Sequence, residues 1–164
     1  MDITSTAAAV FLVAVAPICG FVIFSDLARM KIPNVSVYAL VIAYAVLGPF
    51  VLDFQVYLSQ WLHLVVLLIL GIAFNAAGLM GAGDAKFIAA AGPYLAINDF
   101  RMIIILYCAA LLGAVTTHRL IKLSPLKERV PHWESWHRKR DFPMGFALGM
   151  TLVLYLAWVA LGRV

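Results

Sequence analysis

Residues 61–80 read WLHLVVLLILGIAFNAAGLM, twenty positions without one charged side chain. At about 1.5 Å of rise per residue, a helix of that length crosses a bilayer core of about 30 Å. Trp61 at its start is the kind of aromatic that sits at a membrane–water boundary. The stretch has company: apolar runs also occupy residues 6–24, 35–52, 102–121 and 145–161, and a shorter run containing Pro93 occupies 84–98. The polar breaks between them are Ser25 to Asn34, Asp53 to Gln60, Gly81 to Lys86, Asn98 to Arg101, and a basic, aromatic segment over 122–142. The pattern predicts an all-α integral membrane protein, a bundle of about six transmembrane helices forming one domain over 1–164.

Composition excludes the main alternative. The chain is 65% hydrophobic and 12% charged, whereas soluble domains carry about 25% charged residues. A soluble fold this apolar would expose large greasy patches. No polar stretch is long enough to build a second core. No Lys or Arg precedes the first apolar run, so it reads as a retained helix and not as a cleaved signal peptide. Cys19 and Cys108 lie inside apolar runs and read as packing residues; two cysteines cannot build a four-cysteine zinc site.

Orientation follows from Lys and Arg. With the N-terminus outside, the inner segments hold Arg29, Lys31, Lys86, Arg119, Lys122, Lys127, Arg129, Arg138, Lys139 and Arg140, and the outer ones only Arg101 and Arg163. Both termini are therefore expected outside. This parity requires the short fourth run to span.

Asp26 ends the first run and Asp84 opens the fourth, so two intervening passes return the chain to one membrane face. Acidic groups at the edge of a hydrocarbon layer are scarce and tend to be functional. Asp84 lies in Gly81-Ala82-Gly83-Asp84-Ala85-Lys86, where two glycines allow a sharp bend and a close backbone approach. Asp26 is followed by Ile32-Pro33-Asn34, with Pro33 suited to an early helix position and Asn34 to a cap. Physics alone leaves a plainer account open, in which both aspartates are interfacial caps paired with Arg29, Lys31 or Lys86.

The ordered set resembles a family. Asp26 followed by Ile32-Pro33-Asn34, then Gly81-Ala82-Gly83-Asp84-Ala85-Lys86, then Pro143-Met144-Gly145-Phe146-Ala147-Leu148-Gly149, is similar to the type IV prepilin peptidases, GxGD-class intramembrane aspartyl proteases. The resemblance covers nearly the whole chain. It implies catalysis by Asp26 and Asp84, with Pro33, Asn34, Pro143 and Gly145 as structural motif positions; read from the residues themselves, Gly81 and Gly83 leave room for a substrate backbone, and Lys86 either contacts substrate or tunes Asp84, or is a snorkelling interfacial lysine. The resemblance also implies residence in the cytoplasmic (inner) membrane and a prepilin or pseudopilin substrate with a short basic leader, a small residue such as Gly, and an apolar helix. Longer members carry a cysteine-rich insertion and N-methylate the new terminus; this chain looks like the short, peptidase-only branch of Flp pili and tight-adherence systems, without methyltransferase activity. Competing readings are an archaeal-type preflagellin or presenilin-like protease, and a proton-coupled transporter built on two acids. The transporter would need a polar path to the outer face, and the runs assigned there carry no second charged cluster.

The expected chemistry is hydrolysis by a water held between two carboxylates, one ionised and one protonated. Helix direction suggests that Asp84, at a helix N-terminus near Lys86, holds the charge, and that Asp26, at a helix C-terminus, holds the proton. No cofactor and no metal are expected. The segment 122–142 reads as a solvated positive-inside loop or as an amphipathic contact for anionic lipid; a metal site at His132, Glu134 and His137, or nucleic-acid binding, has no supporting second signal. Asn75 is expected to bond a neighbouring helix, and His63 and His118 to sit at the interface.

Overall fold

The computed structural model describes residues 3–125, 128, 130–136 and 142–162. These contain six α-helices and no strand: α1 (Ser5–Arg29), α2 (Asn34–Val51), α3 (Phe54–Ala76), α4 (Ala82–Ala91), α5 (Phe100–Leu123) and α6 (Met144–Ala160). Four of them, α1, α2, α3 and α5, are long and apolar enough to cross a membrane, and α6 is an apolar helix of 17 residues. The protein is an all-α, multi-pass membrane protein.

α1 is the central strut. Phe11, Val15, Cys19 and Val22 recur at helical spacing and are fully buried, the stripe expected of a core-facing helix. They meet Leu40 and Tyr44 of α2 and Leu152, Tyr155, Leu156 and Val159 of α6 in one apolar cluster. Elsewhere the surface is greasy: Val13 is 79% exposed and Phe50 84%, as lipid rather than water demands.

Two boundaries differ from the sequence expectation. Residues 54–60 are not a polar link, because α3 starts at Phe54. Tyr57 stacks on Tyr44 with ring centroids 5.5 Å apart, and its carbonyl accepts a hydrogen bond from the Tyr44 hydroxyl at 3.1 Å. That packing overrides Ser59 and Gln60. At its other end α3 stops at Ala76, before Gly78 in the left-handed region at φ 72°. Asn75 closes this turn, its Nδ2 donating to Met80 O at 2.9 Å, so it serves its own chain and not a neighbouring helix.

The fourth run is not a regular helix over 84–98. α4 has ten residues, about 15 Å of rise, followed by 3-10 turns at Gly92–Tyr94, which contains Pro93, and at Ile97–Asp99. This composite runs antiparallel to α3. Gly71 faces Ala85, Gly92 faces His63 and Leu67, and Ile97 shares a small cavity with Ser59 and Gln60. From the level of residue 76 to that of residue 60 is about 24 Å, so a half-length helix plus irregular chain reaches the opposite end of the bundle. Non-helical backbone at that depth must be buried in protein, and Gly92, Pro93, Tyr94 and Ala96 are buried.

The bundle thus has two ends. At one, Thr4, Leu52 and Asp53 line a shallow depression, and Tyr155 donates to Asp99 Oδ2 at 2.8 Å while accepting from Ala96 N at 3.0 Å. Tyr155→Phe is expected to leave that buried amide without its acceptor and to lower stability by about 1–3 kcal/mol, measured by denaturant titration in detergent. Asp26, Asp84 and Gly145 mark the other end.

Candidate active site

Asp26 lies in the last turn of α1 and Asp84 in the first turn of α4. Both line one open cleft of about 760 Å³, together with Met30, Lys31, Ile32, Gly81, Ala82, Gly83, Phe142 and Met144. The two carboxylates are near enough for their charges to interact. Asp26 is buried, Asp84 half-buried.

The turn after Asp26 is built locally. Met30 adopts the left-handed conformation (φ 52°, ψ 38°), and its N–H donates to Asp26 O at 2.9 Å. Few non-glycine residues sit there, and the turn is held further by Ser25 Oγ donating to Lys31 O at 3.0 Å. Pro33 occupies the N-cap of α2 and Asn34 its first helical position, so Asn34 does not cap the helix. Instead Asn34 Oδ1 accepts from Lys86 Nζ at 3.2 Å. Lys86 thereby ties the start of α4 to the start of α2. Among the described residues neither aspartate is ion-paired with Arg29, Lys31 or Lys86, and the paired-cap account loses its partners.

What holds Asp26 comes from far along the chain. Gly145 N donates to Asp26 Oδ2 at 2.6 Å across a sequence separation of 119, and the Phe146 N–H also faces the carboxylate. Pro143 is the N-cap of α6 and has no side-chain acceptor for the first-turn N–H groups; Asp26 supplies the missing cap from another helix. A Cβ at Gly145 would lie 2.9 Å from Asp26 Oδ2 and 3.1 Å from Asp26 Cβ and Cγ. One helical turn on, Gly149 lies against Ile23 and Cys19 O. Gly145 and Gly149 thus form the small-residue seam on which α6 closes against α1. Gly145 had been expected only as a motif position; its amide is the group that grips the carboxylate.

The glycines around Asp84 divide. The Gly81 N–H faces the Asp84 carboxylate, and a Cβ at Gly81 would lie 2.8 Å from Oδ2. Gly81 is the N-cap of α4 and Asp84 the third helical residue, so the side chain folds back on its own helix start as in a capping box. Gly83 faces Ile32, 3.4 Å from where its Cβ would be. Both carboxylates therefore sit at a helix N-terminus, α4 for Asp84 and α6 for Asp26. The dipole contrast drawn from α1 alone disappears.

One neighbour of the cleft, Tyr107, had no signal in the sequence. Tyr107 of α5 is within electrostatic range of Asp84. In the basic, aromatic segment, Trp133 lies edge-on to Phe24 at 5.8 Å and stacks on Trp136 at 5.9 Å, and Trp136 stacks on His118 at 4.7 Å. His118, expected at the lipid interface, is buried in this stack, with the cleft-lining Phe142 edge-on to it at 5.8 Å. The basic residues Lys127, Arg129, Arg138, Lys139 and Arg140, and His137, lie outside the described residues.

A family model, the type IV leader peptidase family, matches residues 8–118, more than half of the chain. The chain belongs to the type IV leader peptidase family. It is accordingly a membrane peptidase, and leader peptidases of this type act on prepilin-type substrates in general. The matched stretch contains Asp26, Gly81, Gly83 and Asp84, while Gly145 lies beyond it. No curated protein and no solved structure matches this leader peptidase.

Proposed function

We propose that this leader peptidase is a GxGD-class aspartyl endopeptidase that removes the leader of a prepilin or pseudopilin, with Asp26 and Asp84 as its catalytic pair. The observation that carries this reading is the convergence of two carboxylates, without cationic partners among the described residues, from α1 and α4, in one open cleft, each at a helix N-terminus. Two close carboxylates share a proton more readily than they ionise together. The ionised one takes a proton from water as the water oxygen bonds to the scissile carbonyl carbon. The protonated one gives its proton to the carbonyl oxygen. Collapse of the tetrahedral species breaks the C–N bond as one of its hydroxyls returns a proton to the second carboxylate, and the leaving nitrogen takes the proton that the first carboxylate drew from water, which restores the pair. Because the pair titrates as a unit, neither aspartate is assigned the proton.

The cleft end carries Arg29, Lys31, Lys86, Arg119 and Lys122, which supports a cytoplasmic site, inner-membrane residence and both termini outside. The same rule keeps a basic leader in the cytoplasm. Its junction with the apolar helix then arrives at the depth of the two aspartates. A helical junction must unwind to be cut, since its carbonyls are hydrogen-bonded, and Gly at the cut favours that. The two cysteines of this sequence cannot form a four-cysteine insertion, which favours the Flp branch and a peptidase without methyltransferase activity.

The test is to co-express the enzyme with a prepilin and sequence both fragments. Cleavage at the leader–helix junction is expected, with the leader recovered in the cytoplasm. Moving the junction one helical turn deeper, about 5.4 Å, should sharply slow cutting. Undiminished cutting of the shifted substrate, or a leader recovered outside, would sink the proposed geometry.

A further inference from the structure

α4 packs on α3 and α2, α5 packs on α6, and no extended contact joins α4 to α5. Between them lies a groove of about 250 Å³, walled by Ile88 and Ala91 of α4 and by Ile103 and Ile104 of α5, and floored by Leu148 and Leu152 of α6. Its lining is almost wholly apolar; of the hydroxyls there, that of Thr151 is spent on Ala147 O at 2.7 Å.

This groove differs from the rest of the lipid-facing surface in starting, along the chain, next to the cleft. Met80 lines the groove and Gly81, the next residue, lines the cleft. α4 serves both, with its first turn in the cleft and its body in the groove. Tyr107 joins them a second time, since it lines the groove and lies within electrostatic range of Asp84. From Met80 the groove extends along α4 to Leu95, toward the opposite end of the bundle.

We infer that this groove seats the apolar helix of the prepilin-type substrate, which enters at Met80 just past the leader junction held in the cleft and lays one row of side chains between α4 and α5. The inference rests on the proposed leader cleavage and adds the path by which the substrate is held. A helix lies in an apolar groove through residues spaced three and four apart. The basic leader has no place in so apolar a channel and belongs in the open, partly polar cleft. The arrangement runs in the order the substrate demands: polar leader, junction at Asp26 and Asp84, apolar helix beyond. It also explains why α4 is short, because a catalytic helix start and a docking wall are needed within one half-span.

The experiment uses the full chain in vesicles of phosphatidylethanolamine and phosphatidylglycerol. The probe is a synthetic peptide with a basic leader ending in Gly and an apolar helix of about 20 residues, alongside a truncated version that ends shortly after the junction. A photo-crosslinking residue replaces Ile104, which is 45% exposed and far from the carboxylates in sequence. The expected product is a cross-link to the apolar helix of the long peptide. In a second arm, Ile104→Trp and Ile88→Trp should raise KM for the long peptide about tenfold, with kcat nearly unchanged and the truncated peptide cut as by the wild type. Leu112→Trp, an equal change on an outward position of α5 that is 69% exposed, should cut both as the wild type does. Cross-links to lipid or to a second copy alone overturn the groove, as does wild-type KM in both groove variants or equal loss on both peptides. The cross-link needs no catalysis. An Asp84→Asn enzyme that cuts normally yet is cross-linked to the helix would overturn the catalytic pair and leave the groove standing.

Discussion

Asp26→Asn and Asp84→Asn are each expected to reduce leader cleavage by about 10³-fold or more while the protein still inserts and folds. Proton transfer by a positioned side chain is worth about 10²–10⁴-fold, and both halves of the pair are needed for one turnover. The asparagine is chosen because of what holds Asp26. Its Oδ2 accepts the Gly145 N–H, and an amide oxygen can accept that bond as well, so the cap on α6 survives while the titrating group is lost. Asp26→Ala removes both, and it should cost in addition about 1–2 kcal/mol of stability, the ordinary worth of a helix cap. The measurement is cleavage of a prepilin followed by gel shift, with thermal unfolding in detergent beside it. Near wild-type cleavage by either asparagine variant would end the assignment. Unfolding of Asp26→Asn to the same degree as Asp26→Ala would make Asp26 a structural cap.

The second large effect is expected at Gly145. An added methyl there would stand 2.9 Å from Asp26 Oδ2, with the Asp26 Cβ and Cγ at 3.1 Å. Either the carboxylate moves or α6 does. A displacement of about 1 Å in a catalytic group costs on the order of 10²-fold, so Gly145→Ala should lower kcat by about that factor. Gly149→Ala is the matched comparison. Its methyl would meet Ile23 Cγ1 at 3.1 Å and Cδ1 at 3.3 Å, a side chain that can rotate away. It disturbs the α1–α6 seam without touching Asp26, and it should retain most activity. Equal losses in the two variants would mean that the seam, and not the carboxylate, is what Gly145 protects.

The sequence made the helices legible because lipid solvates one kind of side chain and the breaks between apolar runs are polar. It also brought Asp26 and Asp84 to one end, by counting passes. It misled where aromatic packing replaced polarity as the deciding term. Asp53 to Gln60 reads as a link only until Tyr57 is seen stacked on Tyr44. Pro33 and Asn34 were each displaced by one role, Pro33 standing at the cap and Asn34 receiving Lys86. The grip of Gly145 on Asp26 was out of reach, since no local pattern ties two residues so far apart. The glycine pair at 145 and 149 was the available signal, and it announces a close helix approach without naming the partner. Tyr107 gave no signal at all: one tyrosine in an apolar run reads as lipid-facing until α5 is placed beside Asp84.

The hydrogen bond between Gly145 and Asp26 also sets an order of events in biosynthesis. α1 and α4 emerge from the ribosome and enter the membrane well before α6 exists. Until α6 is made, one carboxylate of the pair has no amide to fix it, and the wall of the cleft formed by Phe142 and Met144 is missing. If Asp26 and Asp84 are the catalytic pair, a nascent chain carrying both aspartates is expected to lack protease activity. On that assignment hydrolytic competence is expected to arrive when α6 closes on α1, which would spare the membrane from half-made enzyme.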